Sequence, residues 1–223
     1  MNSKPTYWQG CFPNRMDVVM SVAEAHRCGA YDLPESENDP RVKAGKIARG
    51  AFIRVRRIGT RGAARATTCA RLKRMMRNDK EKWNLLDFNF VADIWEGDSP
   101  RGPPAGFCIF GMTTRRGPRS QRINAVCFHL SLSYVVAAKR RRGLGQMLSA
   151  AFEIWLSRCK VYGPRVRRGG VCLAFYSEYH TPGGQKCGEI VESILEALED
   201  QCQMLPAALT GWNIADMTLE AGI

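Results

Sequence analysis

Long apolar runs are missing from this chain. Nowhere do 18 or more apolar residues follow one another, so no transmembrane helix and no membrane partner are expected. The opening residues Met1 to Trp8 lack the apolar stretch of a secretory signal, and a cytoplasmic location is the expectation. Histidine is scarce, at 3 residues, and the 9 cysteines from Cys11 to Cys202 include no Cys-x-x-Cys pair. That spacing excludes a disulfide framework and gives no reason to expect a metal. Cys108, Cys127 and Cys172 sit inside apolar runs, where a free thiol acts as a small hydrophobe. A Walker-type G-x-x-x-x-G-K-[ST] loop is absent, and no Ser/His/Asp spacing points to a covalent hydrolase.

What is present suits one globular domain. The 223 residues are 45% hydrophobic and 24% charged, enough for a sizeable core. Net charge is +12, and it is concentrated: residues 41–82 hold 15 of the 33 Lys and Arg but only 2 of the 21 Asp and Glu. This one segment is therefore +13, and the rest of the chain sums to −1. Such a segment attracts polyanions and repels polycations.

Along the chain, residues 1–45 read as an N-terminal extension, with helical spacing of Val18, Val19, Val22 and Ala25 over Asp17 to Cys28. Residues 46–223 form the main domain. Ala51 to Ile58 reads as a strand and Arg61 to Arg77 as a cationic helix. Leu86 to Trp95 and Gly106 to Met112 read as a hairpin joined by the Gly- and Pro-rich link 97–104. Asn124 to Val136 is the longest β-type run. Gly145 to Trp155 is an amphipathic helix, Val171 to Tyr176 a strand, Cys187 to Met204 a second amphipathic helix, and Trp212 to Leu219 a closing strand. Strands and helices interleave, so the fold class is mixed α/β.

The chemistry concentrates where the longest strand meets the first amphipathic helix. A strand entering a glycine-containing turn that opens a helix presents unpaired backbone N–H groups and a partial positive charge, which suit a pyrophosphate. Gly143 and Gly145 are expected to let phosphate oxygens approach the backbone, and Arg140, Arg141 and Arg142 add positive charge. A dinucleotide fingerprint would need a third glycine at position 148, which is Leu148. The spacing is V-x-x-x-x-R-x-x-G-x-G, filled by Val135, Arg140, Gly143 and Gly145. It resembles the acetyl-CoA signature of the GNAT acyltransferase superfamily, and the order of elements over 86–204 is similar to that family's. Residues 51–85 match loosely and 1–40 not at all.

The resemblance implies a mixed, mostly antiparallel sheet with a splayed parallel strand pair and flanking helices. It implies acetyl-CoA as acyl donor, with Tyr134, Val135 and Val136 pairing with the pantetheine amides. The N–H groups of Arg141, Arg142, Gly143, Leu144, Gly145 and Gln146 would hold the pyrophosphate. It also implies direct attack of an amine on the thioester, which needs a base for the amine and an acid for the leaving thiolate. Family members often supply that acid as a tyrosine on the second helix, but Cys187 to Met204 contains none. Tyr176 and Tyr179 are the acid candidates. His129 is the base candidate, with Asp93 and Glu96 as competitors, while His180 could line a substrate loop. The expected function is acetyl transfer to a primary amine on a polyanionic or neutral macromolecule, with nucleic acid or an acidic protein docking through residues 41–82. The rival function is a catalytically silent nucleic-acid-binding protein on the same fold.

Overall fold

The structure is a computed structural model, and it describes residues 11–59, 61–77, 88–117, 122–164, 166–178 and 181–222. In chain order the elements are β1 (Arg15–Ser21), α1 (Val22–Arg27), α2 (Pro40–Lys43), β2 (Gly50–Arg57), α3 (Ala63–Met75), β3 (Phe90–Glu96) and β4 (Gly106–Arg116). There follow β5 (Ile123–Val135), α4 (Leu144–Leu156), β6 (Val171–Glu178), α5 (Pro182–Met204), α6 (Ala207–Thr210) and β7 (Ile214–Gly222). The seven strands form one mixed sheet in sequence order. Strands β1 to β5 run antiparallel to their neighbours, and β5–β6 and β6–β7 are parallel. Each parallel step is a crossover through a helix, α4 and then α5, as parallel neighbours require.

The stretch 17–28, read as a helix, divides into strand and helix. Met16, Val18 and Met20 are buried at every second position, so β1 pairs along β2, and α1 starts only at Val22. Ser21 makes that boundary sharp through a capping box with Glu24. Residues 15–43 thus contribute an edge strand and part of the main core. The other expected strands and helices overlap those observed, though β3 begins at Phe90 (residues 86 and 87 lie outside the described ones), β4 runs on to Arg116, α5 begins at Pro182, and the short helices α2 and α6 were not expected.

Two faces of the sheet are covered differently. Face A packs on α1, α4 and α5. At its centre Trp155 lies 5.3 Å from Phe90 and 5.4 Å from Phe110, edge-on to both. Face B carries α3, which sets Leu72 and Met76 onto Val91, Phe107, Ile109 and Tyr134. The register shift in β5 leaves Ser131 as an extra residue, because Phe110 pairs with Leu130 and Ile109 with Leu132. This bulge exchanges the facing of the strand: Cys127 and His129 lie on face B before it, Leu132 and Tyr134 after it.

One buried charge ties α3 down. Asp93 on β3 is buried, and its two oxygens accept from Arg56 and Arg71, each at 2.7 Å. The guanidiniums keep 37% and 31% of their side-chain surface in solvent. Asp93→Ala should therefore cost about 2 kcal/mol, below the usual figure for breaking a fully buried pair, since both arginines can rehydrate. Urea unfolding checks this, and an unchanged midpoint would dismiss the triad as a tether.

Candidate functional site

The turn between β5 and α4 is built by three anchors. Val136 leads into a 3₁₀ turn at Ala137–Lys139, and Arg141 then takes a positive φ of 61° and Gly143 one of 79°. Glu96, at the end of β3, receives Lys139 at 2.8 Å and also pairs with Arg142. Burial pushes the Glu96 carboxyl up, but the bonds from Lys139 and Arg142 outweigh it and hold the group below the usual carboxylate range. Ala48 N–H donates to the Arg142 carbonyl at 3.0 Å, and Arg140 Nε donates to the Val135 carbonyl at 2.9 Å. The arginine triplet is therefore not uniform. Arg142 is spent on Glu96, Arg140 is exposed but bonded to the Val135 carbonyl, and Arg141 is exposed.

Helix α4 opens without a side-chain cap, because Gly143 occupies the N-cap. Helices α1, α2 and α5 are capped by Ser21, Asp39 and Thr181. Among the described residues no side-chain cap meets the first-turn N–H groups of Leu144, Gly145 and Gln146, which lie at the positive end of the helix dipole. The glycines have a nearer reason than ligand approach. A Cβ on Gly143 would stand 2.6 Å from Leu33 Cδ2, and one on Gly145 would stand 3.4 Å from Cys187 Sγ. Both missing side chains face protein, so these glycines let the turn close on its neighbours.

Beside the turn the sheet opens. Pairing of β5 with β6 runs from Ala125 with Cys172 to Leu130 with Ser177 and stops there. Strand β5 continues for five more residues, 131–135, and among the described strands it pairs there with β4 alone. Because the Val135 carbonyl meets Arg140 on the open side, alternation directs the backbone groups of Ser133 to that side as well. Val136 N–H points the other way and donates to Ala105 at 2.9 Å. Of the expected pantetheine partners, Val135 thus faces the gap with its carbonyl accepting from Arg140, while Val136 has its donor occupied. Tyr134 turns its ring to face B and its hydroxyl to the Met75 carbonyl at 3.2 Å. On face A the gap is lined by small polar groups that the sequence did not single out. Ser177, 3% exposed, has a buried hydroxyl with no hydrogen-bond partner at the position where pairing ends. Cys187 on α5 accepts from Ser133 Oγ at 3.8 Å, and burial pushes its thiol above the ordinary cysteine range.

Two of the three catalytic candidates come together. His129 and Tyr176 are register partners on adjacent parallel strands and share face B, one residue before the gap. Ser131 Oγ lies 3.4 Å from His129 Nδ1, and Tyr176 is 38% exposed. Tyr179 and His180 lie outside the described residues. The competitors are spoken for: Asp93 by Arg56 and Arg71, Glu96 by Lys139 and Arg142. A cleft of about 260 Å³ adjoins the α4 N-terminus, lined by Tyr31, Asp32, Gln146, Lys186 and Glu189 among others. Asp32 pairs there with Lys186 and accepts from Gln146 at 3.1 Å. Among the described residues no group of three potential ligands could hold a metal, and no helix is long and apolar enough to cross a membrane. No protein-family model and no curated protein sequence matches the chain.

Proposed function

We propose that the chain transfers an acetyl group from acetyl-CoA to a primary amine carried by a polyanionic or neutral macromolecule. The observation that carries this reading is the open edge of β5 ending in an uncapped helix N-terminus with two exposed arginines. An extended, amide-containing arm fits along such an edge as a strand would, and a pyrophosphate fits the N–H groups of Leu144 to Gln146. The buried Ser177 hydroxyl, without a partner among the described residues, sits where β5–β6 pairing ends, beside the gap, and is available to a polar ligand atom there.

When bound, acetyl-CoA supplies a thioester whose carbonyl carbon gains a C–N bond as its C–S bond breaks. His129 takes the proton that the attacking amine must lose, with Ser131 steadying its ring. Tyr176 gives its hydroxyl proton to the departing sulfur and regains one from solvent, to which it is open. Ser133 and Val135 orient the arm by their backbone groups. Arg140 and Arg141 meet the phosphates, and the cleft beside Gln146 leaves room for the nucleotide end. The family's helix tyrosine has no counterpart on α5, which is why the acid is assigned to β6.

The test is direct. Purified protein should bind acetyl-CoA in calorimetry, carry CoA species detectable by mass spectrometry, and release free CoA when offered an amine acceptor. Failure to bind any acyl-CoA or CoA would overturn the proposal. Binding without turnover on any amine, together with tight salt-sensitive nucleic-acid binding, would select the silent nucleic-acid-binding protein instead.

A further inference from the structure

We infer that face B is a docking surface for single-stranded nucleic acid, held by the free cations of α3 and by the ring of Tyr176. Six cations lie between Arg61 and Arg77, and the fold sorts them. Arg65 is turned inward to the Phe88 carbonyl at 2.6 Å, and Arg71 to Asp93. Arg61, Lys73, Arg74 and Arg77 are exposed and make no ion pair among the described residues. The segment's excess charge is thus divided between a tether and a solvent-facing set.

That set adjoins the gap. Tyr134 joins the two regions, with its hydroxyl on Met75 at the end of α3 and its ring 5.6 Å from the Arg140 guanidinium. Lys73, Arg74 and Arg77 therefore continue the cationic rim begun by Arg140 and Arg141. Beyond the residues that α3 covers, half-buried Thr113 and His129 share face B with the exposed Tyr176. At its far end Arg115, also on face B, is exposed. From Phe107 to Arg115 along β4 is roughly 25 Å, a length that accommodates about four or five nucleotides. A sheet face with an exposed aromatic ring and cations at both ends stacks an unpaired base and tracks a phosphate backbone. An acidic protein would use the cations but gain nothing from the ring.

The inference rests on the acyltransferase reading for what happens to the strand, since His129 and Tyr176 would meet an amine it carries. The binding is testable apart from it. Fluorescence anisotropy with a labelled 12-nucleotide single-stranded RNA should detect binding at 50 mM salt. Affinity should fall about 50-fold on going to 200 mM, as four neutralised phosphates imply. The K73E/R74E/R77E variant should bind at least about 10-fold more weakly in 50 mM salt, with its melting temperature and acetyl-CoA affinity unchanged. If charge reversal lowers the melting temperature, the corresponding triple Gln variant takes its place. Absence of RNA binding at 50 mM, binding indifferent to both triple variants, or a polyglutamate peptide that competes as well as unlabelled RNA would each overturn the inference. Loss of acetyl-CoA binding in the unmodified chain would instead sink the acyltransferase reading and leave the RNA result standing.

Discussion

The R140E/R141E variant is expected to bind acetyl-CoA at least about 100-fold more weakly than the unmodified chain, because hydrogen bonds to charged groups contribute about 1.5–3 kcal/mol each. Its melting temperature should hardly move. Both side chains are exposed, and although the bond from Arg140 to the Val135 carbonyl is given up, the turn keeps its other anchors: Glu96 on Lys139 and Arg142, and Ala48 on the Arg142 carbonyl. Arg142 is the wrong residue for this test, because its replacement would also free Glu96 and loosen the turn. Gly145→Glu is equally unsuited. Its new side chain would start 3.4 Å from Cys187 Sγ, so lost binding could mean only a displaced helix. Calorimetry on the double variant separates charge from shape. Equal affinity for acetyl-CoA in both proteins would remove the turn from the proposed site.

That distinction between charge and shape also marks what the sequence could disclose. The strand–turn–helix unit around Gly143 was legible because all its signals are local: a β-type run, a glycine pair, then apolar residues at helical spacing. Strand β1 was obscured for a related reason. Its alternation at Met16, Val18 and Met20 passes without a break into the helical spacing of Val22 and Ala25, and a single window averages the two periods. Non-local facts left no trace. Nothing near Asp93 announces that Arg56 and Arg71, 37 and 22 positions away, converge on it. The glycines were legible as glycines but not in their immediate purpose, since Leu33 lies 110 residues before Gly143. Ser177 offers no motif at all, and only the end of β5–β6 pairing makes its hydroxyl conspicuous. His129 and Tyr176 could be named singly as candidates. Their meeting is set by a parallel register across 47 positions, which no local pattern encodes.

This register yields the second large effect. His129→Ala and Tyr176→Phe should each lower kcat on the order of 100-fold with little change in KM, as expected when a proton-transfer group is lost and ground-state binding is kept. Neither change should weaken the fold much. His129 is half-buried on face B, and the Tyr176 ring remains in the Phe variant. The pair is also expected to act as a unit, because transfer from the amine and transfer to the sulfur occur at one thioester. The double variant should therefore fall short of the product of the two single losses. Ser131→Ala supplies the control for positioning. It removes a contact 3.4 Å from His129 Nδ1 but no titrating group, and a loss of about 10-fold or less separates orientation from chemistry. Tyr179→Phe, made in parallel, decides between the two tyrosines named from sequence. Steady-state release of free CoA from a fixed amine acceptor reads all five variants. Full turnover in H129A, Y176F and their double would transfer both proton steps to solvent or to other groups, while a collapse in Y179F alone would move the acid from the end of β6 into the loop that follows it.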